Sequence, residues 1–550
     1  MPEFLAAIGY GGYISPIKLV VFLILFFGGL PVVSWVHRDA EAVGTKSVFW
    51  TIVVFIAWAT AGIVWLLIPV FPIGTVFYLI AAGAASLSYV MHRNALVPEF
   101  QRVLTIDHIK GLFASQTKKT AAMKSFVFIT ANNNEVPLPE PKTPDFFGYK
   151  AAYDLFSDAI YRRAYDIICT PTLQNYNIAY YVDGAALKQP ASPKDRMEYL
   201  LHFVKHLANF DVEEKRKPQK GKFTIFQNNR RIDWEVTTAG STAGEQMRVK
   251  QLTQQDITKL TDLGLTAEQL KQLNGLQNVK KGLLIISGPK KSGVTTTLYT
   301  LLRDHDAFLN SIATVERQPS GKLPNITQNI FSLSDSGVTT YPKKLQSVIR
   351  TDPDIIAVAD CEDSETAQIA CAAATAGKLV YVALEEETLL RALAKWIKLV
   401  GDKNKALEPL LGISNQRILR KLCDQCKQAY EPNRELLHKF NIPADKVKVF
   451  YKAGKVVYDK RGRASPCETC QETGYFGRMA TFETVFFNQN LRNAVKQAKS
   501  LSDIGTEFRR ARMRYLQEQA MMKVIAGVTS INEMVRVLSK SGDQRPTTEQ

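Results

Sequence analysis

Cysteine is scarce in this chain, seven residues in 550, and four of the seven stand in two CxxC pairs, Cys423/Cys426 and Cys467/Cys470. That usage argues against a disulfide framework and for a reducing compartment with a metal site. The other three, Cys169, Cys361 and Cys371, lie in apolar surroundings and read as buried thiols. Acidic residues are in deficit, with 52 Asp and Glu against 69 Lys and Arg. The positive excess is spread thinly, and no basic run is interleaved with aromatics. A nucleic-acid partner is therefore not expected, whereas a membrane surface or an acidic protein would suit such a chain. The first sixteen residues carry no Lys or Arg, and two more apolar runs follow the first, which argues against a cleaved signal peptide. The length exceeds what one core serves, so several domains are expected.

Three apolar runs of bilayer length open the chain: 17–36, interrupted by Lys18 and Pro31, then 48–70, then 73–91. We read three spans, the last two forming a hairpin at Pro72. The alternative is one long helix kinked at Pro72, making two spans. Arg38 and Lys46 follow the first run, and Arg93 and Arg102 follow the third, while the 71–74 turn holds no Lys or Arg. This asymmetry predicts an outside N-terminus and a cytoplasmic bulk, a multi-pass protein of the cytoplasmic membrane. With two spans the N-terminus would lie inside.

Residues 1–94 are thus expected to be the anchor, and 95–149, with Asn132-Asn133-Asn134 and a proline cluster from Pro137 to Pro144, a small element and linker. Over 150–252 the patterns alternate: helical over 151–164, extended over 166–168 and 177–182, a turn at Asp183-Gly184, helical over 195–210, then a hairpin turning at Asn228-Asn229. That is an α+β domain. Over 253–420 continuous apolar runs at 282–287, 354–359 and 379–384 alternate with helices, the pattern of a parallel sheet covered on both faces. Residues 421–485 are rich in loops and hold the cysteine pairs. A helical region over 486–538 and a disordered tail over 539–550 complete the expected order.

Gly288-Pro289-Lys290-Lys291-Ser292-Gly293-Val294-Thr295-Thr296 follows a buried strand and opens a helix, where a P-loop belongs. Glycines let backbone N–H groups face phosphates at a helix N-terminus, and Thr295 offers a hydroxyl for Mg²⁺. The lysine for the β/γ-phosphates is missing, because that position is Val294. The two CxxC pairs, about 40 residues apart, have the spacing of a tetrahedral structural zinc site with Cys423, Cys426, Cys467 and Cys470 as ligands.

These motifs sit among others that together resemble the type II secretion and type IV pilus assembly ATPases over about 150–490. Ala164-Tyr165-Asp166-Ile167 with Pro171 resembles that family's ASDIH…EP segment, and Tyr180 to Gly184 its R-[FY]-R-x-DG hairpin. Lys215 to Phe223 is similar to KRxPQDGRF, and Gly288 to Tyr299 to GPTGSGKTTTLY. Arg350 to Ile356 is similar to the RQDPDII Walker B segment, Gln416 to Cys423 to QRLVRxLC, and Cys467 to Arg478 to CxxCxxTGYxGR. The departures fall on charge-handling positions. Besides Val294, the TxEDP box reads Thr314-Val315-Glu316-Arg317-Gln318-Pro319, keeping Glu316 but replacing its Asp by Arg317. The GE-x-RD segment reads Ala359-Asp360-Cys361-Glu362-Asp363, so the catalytic Glu is Asp360 and the Arg is Glu362. The two histidines of TGHLVxxTLHTN are Lys378 and Glu385.

The resemblance implies a multidomain fold: membrane helices, a PAS-like α+β domain, and a RecA-like P-loop domain with a zinc-binding insert. It implies residues 288–296 as the nucleotide-binding loop, Asp360 and Glu316 as the remaining catalytic candidates, and Lys217, Lys222 and Lys250 as cations reaching the nucleotide. Structural zinc and ATP with Mg²⁺ are the implied cofactors. The implied partners are a homo- or hetero-oligomeric ring, usually a hexamer, of family ATPases and the platform proteins of the inner membrane. Family members are typically recruited by membrane partners, and here the spans are fused to the ATPase-like part. Three readings are open. The first is a pseudo-ATPase subunit of a secretion or pilus-like machine. The second is a tethered motor using Lys290 or Lys291 as its P-loop cation. The third is a nucleotide-sensing scaffold outside secretion.

Overall fold

Apolar runs of bilayer length become three helices in the computed structural model: Pro16–Ala42, Ser47–Leu67 and Phe71–Leu96. The structure describes residues 16–68, 70–97, 103–104, 126–140, 143–227, 230–252, 259–332, 340–439, 442, 447, 449–454, 457–458 and 464–539. Arg102, the Asn228-Asn229 turn and the tail beyond 539 lie outside them. The second and third helices are separate: Ile68 and Val70 are extended, and Pro72 stands in the first turn of the third helix, where its missing N–H costs nothing. By length and composition all three could cross a membrane. Small residues let them approach closely. A Cβ on Gly29 would lie 1.7 Å from the Trp58 ring, and one on Gly74 2.2 Å from Trp65. Asp39 ties the first helix to the third, accepting from Arg93 Nε and Tyr89 Oη, both at 2.7 Å.

The described chain clusters into two compact units, the first holding 1–156, 168–178 and 190–249 and the second holding 157–167, 179–189 and 250 onward. A nine-stranded sheet runs in the order Glu135–Val136, Phe126–Ile129, Gln219–Gln227, Arg230–Ser241, Gly244–Gln251, Asp166–Pro171, Asn175–Val182, Ala185–Lys188, with Ser192–Pro193 beside Asn175–Val182. The helices Pro144–Tyr161 and Lys194–Leu207 accompany it. Phe126–Ile129 falls in the stretch expected as element and linker, yet it pairs antiparallel with Gln219–Gln227. Its hairpin turns at Asn133, with φ of +61°, so the asparagines form a turn and not a linker. The aromatic rings of Phe126, Phe128, Tyr149, Phe156 and Phe203 meet edge to face beneath this strand. Asp183-Gly184, with φ of +50° and +86°, forms the expected hairpin turn.

The second unit is built on a seven-stranded sheet ordered Thr327–Ile330, Ile312–Glu316, Ile355–Val358, Leu379–Glu385, Gly282–Gly288, Leu410–Leu422, Tyr475–Phe486. Every neighbouring pair is parallel except the last. All seven residues of Gly282–Gly288 are buried, which is why the run is apolar without alternation. Leu283 and Ile285 enter one core with the helices Tyr341–Arg350, Ser364–Thr375 and Leu389–Val400. Leu284 and Ile286 enter another with Val294–Asp304. This is the multidomain α/β organisation expected, with apolar N-terminal helices; its α+β part is a sheet with helices.

Candidate functional site

In a parallel sheet the carboxyl ends of neighbouring strands share one edge, where open α/β sheets bind their ligands. The strands Gly282–Gly288, Leu379–Glu385, Ile355–Val358 and Ile312–Glu316 are consecutive neighbours. Their exits carry the loop 288–296, Glu385, Asp360 and Glu316-Arg317, so the topology gathers four of the motifs read from the sequence.

The loop's shape is dictated by its glycines. A Cβ on Gly288 would lie 2.2 Å from Ser292 Oγ and 2.9 Å from the Gln416 carbonyl oxygen. Gly293 has φ of +85° and caps the helix Val294–Asp304. Ser292 N–H donates to the Pro289 carbonyl at 3.1 Å, and Gln416 Nε2 donates to the Ser292 carbonyl at 2.9 Å. Lys291 also has φ of +66°, a conformation that costs a side-chain-bearing residue roughly 1–2 kcal/mol. Val294 opens the helix, with Thr295 and Thr296 behind it, all partly buried. Lys290 is largely exposed, its Nζ 3.9 Å from Glu385 Oε2, and Lys291 Nζ lies 5.7 Å from the centre of the Tyr181 ring.

The two acids named from the sequence differ in setting. Glu316 is buried and fully engaged: Thr314 Oγ1 donates to Oε1 at 2.7 Å, Gln328 Nε2 at 3.0 Å, and Tyr299 donates its hydroxyl proton to Oε2. Asp360 is half-buried and accepts the Arg317 backbone N–H at 2.8 Å. Burial raises its carboxyl above the usual range, against the opposing pull of that N–H and the Arg317 charge. Lys217, Lys222 and Lys250 are exposed in the described structure, Lys222 opposite Glu235 in the sheet register.

Two of the replaced residues pair with each other. Arg317 Nη2 lies 3.2 Å from Glu362 Oε2. Their positions hold Asp and Arg in the family pattern, so the two departures exchange sign together. Lys378 pairs with Asp352 at 2.6 Å, and Glu385 is the partner of Lys290. In the sequence these are separate departures. Two replacements of opposite sign were the one available hint that they meet. Tyr299 and Gln416, which hold Glu316 and the loop, stood inside quoted motifs without a stated role.

The cysteines converge for a topological reason. The strand Leu410–Leu422 runs antiparallel to Tyr475–Phe486, with Leu422 opposite Tyr475. Cys423 leaves one strand end and Cys470 approaches the other. All four Sγ atoms lie within 4.8 Å, with Cys423–Cys467 at 3.8 Å and Cys426–Cys470 at 3.5 Å. A tetrahedral zinc with Zn–S near 2.3 Å separates its sulfurs by about 3.8 Å, so the donors fit the ion and leave no open position. The Cys470 backbone N–H favours the Cys467 thiolate and, outweighing burial, lowers its thiol to about 7. Thr473 Oγ1, donating to the Cys470 carbonyl at 2.8 Å, helps fix the second turn.

Comparison with known proteins agrees with this arrangement. Residues 149–536 match the family model described as type II/IV secretion system protein, leaving 1–148 outside the match. Type II secretion system protein E of Klebsiella pneumoniae is 29% identical over 389 residues, 70% of this chain and 74% of that protein. Type II secretion system protein HxcR of Pseudomonas aeruginosa is 30% identical over 384 residues, 70% of this chain and 76% of its own. The type IV pilus assembly ATPase PilB of Thermus thermophilus is 27% identical over 402 residues, 73% of this chain but only 44% of its own. With a family model matched over more than two thirds of its length, the chain belongs to the type II/IV secretion system protein family.

Proposed function

We propose that this protein is a membrane-anchored structural or regulatory subunit of a secretion or pilus-like machine, with weak or no ATP hydrolysis. It would assemble in a ring, hexameric in the family manner, alone or with an intact family member and inner-membrane platform proteins. The observation that carries the reading is Val294 at the first position of the helix that follows the phosphate-type loop. Valine brings neither charge nor donor to the β/γ-phosphates, and phosphoryl transfer depends on such positioned charge. Glu316 supports it too, since both carboxylate oxygens are occupied within the fold. Backbone N–H groups of 288–296 and Thr295 would still hold a nucleotide with Mg²⁺. The three apolar helices would place the protein in the cytoplasmic membrane, multi-pass, bulk inside, and the fused anchor would replace a recruiting partner. The α+β part, with its antiparallel strands and two helices, would be the PAS-like module. The four cysteines would hold a structural zinc.

A second reading, a motor using a loop lysine, is favoured by the exposure of Lys290, whose side chain is 82% accessible and only loosely paired. The two readings separate on the affinity of the full chain for a fluorescent ATP analogue with Mg²⁺. Val294→Lys adds the missing charged contact and tightens binding by about 10-fold or more. If Val294→Lys binds no better, and Lys290→Ala with Lys291→Ala abolishes binding by the unmodified loop, the relocated lysine is right and our reading fails.

A further inference from the structure

The segment after strand Ile312–Glu316 and the segment after strand Ile355–Val358 are locked together more fully than a surface contact requires. Arg317 contributes four interactions to that lock. Its backbone N–H donates to Asp360 Oδ2 at 2.8 Å, and its Nη2 reaches Glu362 Oε2 at 3.2 Å. Its guanidinium carbon lies 5.4 Å from the centre of the Tyr341 ring and 5.9 Å from that of Phe331, close enough for cation–π attraction. Tyr341 is itself fixed: its hydroxyl donates to the Val315 carbonyl at 2.6 Å and accepts the Asp360 N–H at 3.2 Å. The Asp360 backbone and carboxylate are thus each held by the strand beside it, once through Tyr341 and once through Arg317.

We infer that Arg317 is a positioning residue for Asp360, and that Arg317 and Glu362 are one reciprocal pair whose signs can be exchanged without losing its purpose. The reasoning is geometric. Glu362 stands two residues beyond Asp360, so a clamp from Arg317 to Glu362 fixes the turn at both ends. The cation–π contacts of Arg317 with Tyr341 and Phe331 add to this ion pair without being required for it. The inference deepens the nucleotide-site reading, on which the importance of Asp360 rests, but the clamp exists whether or not nucleotide binds there.

Cys361 provides a native probe, since it sits between Asp360 and Glu362 and the residue is only 3% exposed. Its thiol reacts with a maleimide only when the turn opens. The experiment follows Cys361 modification in the full chain by peptide mass spectrometry, with buried Cys371 as the control. Arg317→Glu and Glu362→Arg, each alone, raise the Cys361 rate by about fivefold, the upper range for a partly exposed pair, and leave Cys371 unchanged. The double variant, which restores a pair of reversed sign, returns the rate to within about twofold of the unmodified chain, the residue being the lost aromatic stacking. Independent effects, with the double variant faster by the product of the two single increases, would overturn the inference, as would singles that leave Cys361 protected. Binding of the fluorescent ATP analogue is followed in the same variants. If the unmodified chain binds none, the nucleotide-site reading falls while the labelling still decides the clamp.

Discussion

Glu533 shows how one residue closes the C-terminal part of the second unit. Its buried carboxylate takes two guanidinium groups, from Arg420 with contacts at 2.9 and 2.7 Å and from Arg536 at 2.8 and 2.6 Å. Burial alone would raise the carboxyl, but the hydrogen bonds and charges of Arg536 and Arg420 prevail and bring it down to about 2. A carboxyl depressed on folding contributes stability that is complete above its unfolded value and disappears as pH falls toward the folded one. Here that means on the order of 3 kcal/mol, present above about pH 4.5 and lost on the way to about pH 2. Unfolding followed against pH therefore loses this acid-side slope in Glu533→Gln, which is also destabilised at neutral pH because two arginines lose their partner. An unchanged slope would mean the carboxylate is not ionised in the fold. The pair between Arg420 and Glu533 was illegible in the sequence. Arg420 belongs to a recognisable motif, but its partner lies 113 residues later in a helix whose docking follows from tertiary packing. Arg317 and Glu362 were hidden for the same reason, since only the adjacency of two strands brings them together.

At the scale of elements, the legible parts were those with a strong periodic or continuous pattern. Gly282–Gly288 and Leu379–Glu385 were read nearly to the residue because a strand buried on both faces has no choice but to be apolar. Phe126–Ile129 is legible only as a small unspecified element, because it is short and flanked by asparagines and prolines, and its partner, Gln219–Gln227, is some ninety residues away in sequence. The cysteine module lies between these extremes. Spacing named its ligands, but the antiparallel ladder between Leu410–Leu422 and Tyr475–Phe486 explains why they meet. Atomic absorption on chelator-washed, freshly purified protein should find about one zinc per chain. Stripping it under denaturing chelation loosens this hairpin end, read as faster amide exchange over 423–430 and 466–475 with the sheet strands still protected. Metal content near zero in folded protein would refute the site.

For the whole molecule, two features set this chain apart from the pattern its motifs resemble. Apolar helices precede the family-matched stretch, and the charges at the carboxyl edge of the sheet are rearranged. The rearrangement is orderly. Gly288 and Gly293 keep the loop's shape, Tyr299 and Gln328 keep Glu316 in place, and Arg317 with Glu362 keeps an ion pair beside Asp360. The pairing of Arg317 with Glu362 holds this edge together while its charges differ from the family pattern. That combination suits a subunit that occupies a place in an assembly without driving it. The direct measurement is phosphate release from ATP by the full chain in lipid, with Mg²⁺, beside the Asp360→Asn variant. Our account predicts rates that cannot be distinguished between the two. Turnover by the unmodified chain that disappears both in Asp360→Asn and in Lys290→Ala with Lys291→Ala would contradict it.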